Sequence, residues 1–135
     1  MVIAGGKKLP ELDVFKMAYQ AVEGVSGVNL TPMPKKDTTT VVCVADFRAK
    51  EGKTDQLIAA LHALMEPTHK EPGCVRYELN QRVDDPRWIT FIEKWKDKKV
   101  FDEHCAKPYL TNYSDNVRPG LVEAFEVKLY EEILP

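Results

Sequence analysis

EPGCVRYELNQRVDDPRWITFIEKWKDKKVFDEHC, residues 71–105, decides the fold. CVRYELNQRV alternates with period two, Asp84-Asp85-Pro86 turns the chain, and RWITFIEKW brings it back, so the spacing predicts an antiparallel hairpin. KDKKVFDEHC then changes to helical spacing and predicts a helix that carries Val100, Phe101, His104 and Cys105.

Working outward, VVCVADFRA is a β-branched alternating run closed by the turn Glu51-Gly52-Lys53. Thr54 can cap a helix in which Leu57, Leu61, Leu64 and Met65 form one face, meeting Pro67 and ending near Glu71-Pro72-Gly73. After an irregular stretch to Pro119-Gly120, LVEAFEVKLYEEI reads as a long closing strand. The order is β-α-β-β-α-β, an α+β chain of the ferredoxin-like split motif with one antiparallel sheet. Val75, Tyr77 and Leu79 are expected on one face of the second strand, and Phe125, Val127 and Leu129 on one face of the last. The other face mixes Ile92, Val122 and Ala124 with Arg76, Glu78, Asn80 and Lys94. Two helices cover one face of a sheet only, so a half-apolar second face predicts a homodimer packed sheet to sheet.

Residues 1–40 differ from residues 41–135, which form the predicted domain. Leu12, Phe15, Tyr19 and Val22 recur at helical spacing between Pro10 and Gly24, and the polar TPMPKKDTTT follows as a connector. The reading is an N-terminal extension with a short amphipathic helix. A net charge of -2 without a basic cluster argues against nucleic acid or an anionic membrane as partner. No run of 18 apolar residues is present, and the lysines of MVIAGGKKLPELD are followed by no apolar segment of the signal-peptide kind. Cys43, Cys74 and Cys105, odd in number and without a C-x-x-C pair, fit reduced thiols and a cytoplasmic setting.

Several side chains could carry chemistry. His62, Glu66 and His69 share one helix side, and Glu66-Pro67-Thr68-His69 matches half of a di-iron Glu-x-x-His arrangement. The other half is missing and Pro67 disturbs the helix, so no metal site is expected. His104 stands on the apolar side of its helix, pointing toward the sheet. An imidazole there either exchanges protons near neutral pH or serves as a core histidine bonded to a carbonyl. Phe91, Glu93 and Trp95 share one face of the third strand, with Tyr77 across the hairpin. These aromatics read as core or as a substrate platform. A buried Glu93 needs a partner, for which His104 or Arg48 could serve.

Residues 41–131 resemble an antibiotic biosynthesis monooxygenase domain of the quinol-monooxygenase type, a dimeric αβ barrel. ADFRAKEGK, KEPGCVRYEL, FIEKW and FDEHCAKPYL carry the resemblance in order and spacing. It implies an enzyme that oxidises a small phenolic or quinol-like aromatic with O₂, without metal or flavin, in an apolar cavity. His104 matches the family's helix histidine and is the implied catalytic base; Trp95 matches its strand tryptophan. Tyr77, Glu93, Phe91 and Phe47 are the other expected substrate contacts. Phe47 stands where heme-degrading members carry an asparagine, which argues against heme degradation. The alternative is a non-oxidative isomerase or a small-molecule-binding protein of the same fold.

Overall fold

β1 (Lys36–Ala49) is the strand on which the others assemble. The computed structural model describes residues 33–135, of which Lys35–Pro135 form one unit. The helix expected over residues 10–24 lies outside the described residues. Gly52, at φ +78°, turns the chain out of β1 in a backbone conformation that other residues adopt only with strain. Helix α1 (Thr54–His62) follows and buries Leu57 and Leu61. Thr54 is its first helical residue rather than its cap; Lys53 holds the cap position without a side-chain bond. A short helix α2 (Met65–His69) leads to β2 (Cys74–Gln81), which pairs with β3 (Trp88–Trp95). Helix α3 (Lys98–Cys105) begins at Asp97, whose Oδ1 accepts the Val100 N–H at 2.9 Å. Then come α4 (Pro108–Asn112), a π-turn (Tyr113–Val117), α5 (Arg118–Leu121) and β4 (Val122–Ile133).

The four strands lie in the order β2-β3-β1-β4 with every neighbouring pair antiparallel, which is the expected ferredoxin-like sheet. Register places Cys43 opposite both Glu93 and Leu129, and Phe47 opposite both Ile89 and Phe125. Opposed residues point to the same side, so these positions form the inner face. Strand β3 is strictly alternating, with Ile89, Phe91, Glu93 and Trp95 all buried beneath the helices.

Three local departures from the sequence reading share one cause, an irregularity in register. The polar Asp37–Thr40 segment, expected in the connector, belongs to β1, because Lys36 pairs with Ile133 and Asp37 accepts hydrogen bonds from Thr39 and Thr40 across a register shift. A shift between Cys74 and Arg76 leaves Val75 exposed rather than inside with Tyr77. A third, beside Arg48 and Ala49, turns Val122 inward opposite Ala49 instead of outward with Ala124. One extra residue reverses the side to which a strand residue points, and no periodicity announces it.

The helices do not cover the whole inner face. Phe125, Val127 and Leu129 of β4 remain 51%, 50% and 46% exposed, although their register partners on β1 are buried.

Candidate active site

The turn at Glu71-Pro72-Gly73 positions the most ordered polar group of the site. Cys74 N–H donates to the Glu71 carbonyl at 3.1 Å, and Lys96 N–H donates to the Gly73 carbonyl at 2.9 Å, which presses the turn against the start of α3. A Cβ on Gly73 would stand 2.4 Å from Val100 Cγ2, so the close approach requires glycine. His104 lies four residues beyond Val100, on the same side of α3. Glu71 therefore meets His104, and its Oε2 lies 2.8 Å from Nδ1. A carboxylate oxygen accepts, so Nδ1 carries the hydrogen and Nε2 keeps its lone pair. The Tyr109 hydroxyl donates to the same Oε2, and the Thr68 hydroxyl stands 3.1 Å behind Tyr109. This chain of donors holds the carboxylate from α2 and α4 at once.

His104 is 2% exposed and packs at 4.3 Å between ring centroids on Trp95 and at 5.4 Å on Tyr77. Burial lowers its pKa, and the Glu71 carboxylate opposes that shift. The imidazole is thus neutral at neutral pH, with a free nitrogen fit to accept a proton.

Glu93 is 5% exposed on the next strand. Trp95 Nε1 donates to its Oε1 at 2.9 Å, and the Cys43 thiol faces it from β1. Burial pushes this carboxyl up to about 7, against the lowering effect of the Trp95 and Cys43 hydrogen bonds. Its partners are therefore Trp95 and Cys43, neither His104 nor Arg48. Arg48 instead lies toward Glu123, at 3.8 Å, and over Trp88.

Between the helices and the inner face lies a cavity of about 140 Å³. Tyr77, Phe91, Glu93 and His104 line it, with Phe47 and Tyr113 further along. An apolar cavity of about 150 Å³ accommodates benzene, so this one is sized for a single ring. Burial also raises the Cys43 thiol and the Tyr77 phenol well above their ordinary values, so neither supplies charge. The model for antibiotic biosynthesis monooxygenases matches residues 40–116, more than half of the chain.

The chain belongs to the antibiotic biosynthesis monooxygenase family. SO0527 from Shewanella oneidensis, a solved structure, is 50% identical with a TM-score of 0.74, covering 75% of this chain and 98% of that one. Rv0793 of Mycobacterium tuberculosis, provisionally named a monooxygenase, is 31% identical over 80 residues, 59% of this chain and 78% of its own length. With sll1783 of Synechocystis the identity is 25% over 91 residues, 67% of this chain, and the match spans 62% of that protein's length.

Within this family member, five of the six residues singled out from the sequence line the cavity: Phe47, Tyr77, Phe91, Glu93 and His104. Trp95 does not. It is fully buried behind the wall, where it supports the His104 ring and donates to Glu93. Glu71, Tyr109 and Thr68 escaped the sequence reading, because only the packing of the 71–73 turn on α3 brings them to the histidine. His69, one of the weighed metal ligands, places Nε2 2.8 Å from the Tyr77 carbonyl oxygen. Among the described residues no group of three or more His, Cys, Asp or Glu could hold a metal ion, and no helix is long and apolar enough to cross a membrane.

Proposed function

We propose that this protein is a cofactor-independent monooxygenase acting on a single-ring phenol or quinol. The observation that carries the reading is the pair of buried groups on one small cavity, a neutral imidazole oriented by Glu71 and a carboxyl held near pKa 7. In the overall reaction a phenol and O₂ give a quinone and water, with one oxygen atom kept in the ring product and the other leaving as water. His104 Nε2 takes the phenolic proton, which is costly to remove at neutral pH because a free phenol has a pKa near 10. The resulting phenolate is the reductant, giving electrons to O₂ and then bonding it at a ring carbon. Glu93, protonated, can give its proton to the peroxide oxygen. The ring C–H proton returns to Glu93 as the O–O bond cleaves, and the departing hydroxide takes the proton held by His104 and leaves as water. Trp95 holds both groups in place, while Tyr77, Phe91 and Phe47 exclude water around the ring.

Assembly and setting belong to the same proposal. Half-exposed Phe125, Val127 and Leu129 on one side of β4, and Tyr130 on the other, favour a homodimer in which a second copy covers the sheet. A monodisperse monomer in sedimentation velocity at micromolar concentration would exclude it. An N-terminal extension preceding the domain belongs to the same proposal, with the domain's edge at Lys36, where β1 starts, rather than at residue 41. Three free thiols fit a cytoplasmic setting.

Oxygen consumption with a panel of hydroquinones and substituted phenols tests the activity. General-base assistance is worth about a hundred- to ten-thousandfold, so His104→Ala should lower turnover by that order while the protein stays folded. Wild-type turnover in His104→Ala and His104→Gln would remove the histidine from the mechanism. Proton exchange on an enolisable carbonyl without oxygen uptake would replace the monooxygenase with an isomerase, since the same pair could pass a proton in that reaction.

A further inference from the structure

The far end of the cavity holds a buried polar group, the Tyr113 hydroxyl. Tyr113 is 4% exposed, yet its hydroxyl is buried without a hydrogen-bond partner among the described residues. Its ring is fixed edge-on to Phe47 at 5.7 Å. A buried hydroxyl without a protein partner is costly, and it calls for a ligand, ion or water to answer it. Beside it stands Arg118, which also lines the cavity. The guanidinium lies 4.0 Å from the centroid of the Phe125 ring and has no carboxylate partner among the described residues. Stacking on an aromatic face leaves its forked donors free and pre-aligned.

The backbone between these two residues is the reason they meet. Positions i and i+5 of an α-helix point about 140° apart. The Tyr113–Val117 segment is a π-turn, which closes i to i+5 and brings Tyr113 and Arg118 to one side. Such turns are often found at functional sites.

Placement along the sheet separates this end from the acid–base end. Glu93 is opposite Cys43, while Tyr113 packs on Phe47, four residues further along β1. At the rise of a strand the two ends are ~13 Å apart. A ring with its hydroxyl at one end and a second polar group across from it spans such a site. The ligand group that answers a hydroxyl donor and an unpaired guanidinium is a carboxylate.

We infer that Tyr113 and Arg118 form a carboxylate subsite, and that the preferred ligand is a hydroxyaryl carboxylic acid with its acid group para to the hydroxyl. The inference rests on the cavity being a phenol site, and it names the class of phenol. Tyr113 donates its hydroxyl hydrogen to one carboxylate oxygen and Arg118 covers the other.

Titration calorimetry at pH 7 on the full chain tests it with three probes: p-cresol, 4-hydroxybenzoate and 4-methylbenzoate. The phenolic acid should bind at least about tenfold more tightly than p-cresol, the worth of a single charge-assisted hydrogen bond. Arg118→Gln should erase that advantage, and Tyr113→Phe should reduce it, each read as the ratio of acid to p-cresol affinity within the same variant. Tyr113→Phe should not lower the thermal midpoint of the unliganded protein, because the hydroxyl it removes has no partner to lose. A clear fall in that midpoint would show that the hydroxyl is structurally bonded and overturn the subsite. So would equal affinity for the acid and p-cresol, or an acid preference that survives both substitutions. 4-Methylbenzoate keeps the acid and lacks the phenol. Its Arg118-dependent binding, without oxygen uptake on any phenol, would uphold the subsite while the monooxygenase fell. Oxygen uptake on phenols with no acid preference would do the reverse.

Discussion

Replacing Glu93 by Gln should make the protein's stability less sensitive to pH, and the size of the effect follows from the burial of one carboxyl. Glu93 has an ordinary value of 4.5 when unfolded and about 7 in the folded protein, with burial as the largest cause. Between these values the native state binds a proton that the unfolded chain has released. Unfolding free energy therefore falls with rising pH across that window, by about 1.4 kcal/mol per pH unit. The stability is fully present below pH 4.5, is lost as pH rises through about 7, and is constant above it. The total is about 3 kcal/mol, a large share of the 5–15 kcal/mol that holds a typical domain together. Gln keeps a carbonyl oxygen that can accept the Trp95 N–H but cannot ionise. Urea unfolding at pH 5 and pH 8, at one protein concentration, should give nearly equal wild-type and Glu93→Gln stabilities at the lower pH. At the higher pH the variant should be more stable by about 2–3 kcal/mol. Other titrating groups, His104 included, are common to both proteins and cancel in the difference. A gap between the two that stays the same at both pH values, within about 0.5 kcal/mol, would refute a raised Glu93.

Glu71→Gln should depress the His104 pKa further, since the carboxylate is what opposes burial there, and lower turnover on a phenol by about tenfold to a thousandfold; an unchanged histidine titration by NMR would count against the pairing. Gly73→Ala should cost about 1–3 kcal/mol, because its Cβ would meet Val100 at 2.4–2.8 Å, and adding Val100→Ala should restore only part of that loss in a double-mutant cycle of chemical denaturation, since the Val100 Cβ at 2.5 Å remains. Trp95→Phe removes the N–H that lowers Glu93, so the pH at which stability stops falling should move upward from about 7, read from the same urea series.

Periodicity exposed the sheet because each β3 residue that faces the helices is buried and each neighbour is less so. The same alternation brought Phe91, Glu93 and Trp95 to one side, and helical spacing turned His104 toward them. It failed at Val75, at Val122 and at residues 36–40, where register shifts change which side a residue takes. It also could not assign Glu93 its partner. An i, i+2 neighbour on the same strand face, Trp95, supplies the N–H, whereas the sequence reading looked to His104 on α3 or to Arg48 on β1. Glu71 was read as part of a turn, and as a turn residue it carries no spacing relation to His104. The relation exists because Gly73 lets the turn touch Val100, a contact between segments 27 residues apart. Arg118 and Tyr113 were missed for a different reason: they lie in a stretch read as irregular, and even α-helical spacing would separate positions that the π-turn unites.

Burial acts on the two titrating groups of the cavity in opposite senses, and that opposition fits the proposed chemistry. A carboxyl forced upward and an imidazole forced downward both favour their uncharged forms, so near neutral pH the acid end of the cavity holds a neutral base beside a carboxyl that is partly protonated. A neutral phenol enters such a site without leaving an uncompensated charge. In the proposed reaction, proton transfer to His104 creates a phenolate and an imidazolium in apolar surroundings, where separated charges are most costly. The Glu71 carboxylate, already bonded to Nδ1, offsets the new positive charge, and Tyr109 and Thr68 keep it from swinging away. The phenolate faces an imidazolium whose charge Glu71 already offsets, so it is only weakly compensated at the acid–base end. It is the electron-rich, poorly stabilised species there, and relief comes by giving its electrons to oxygen. A site with a lysine or arginine against the phenolate would bind it more tightly and make it a weaker reductant. The nearest described guanidinium on the cavity wall, Arg118, stands instead at the opposite end, beside Tyr113.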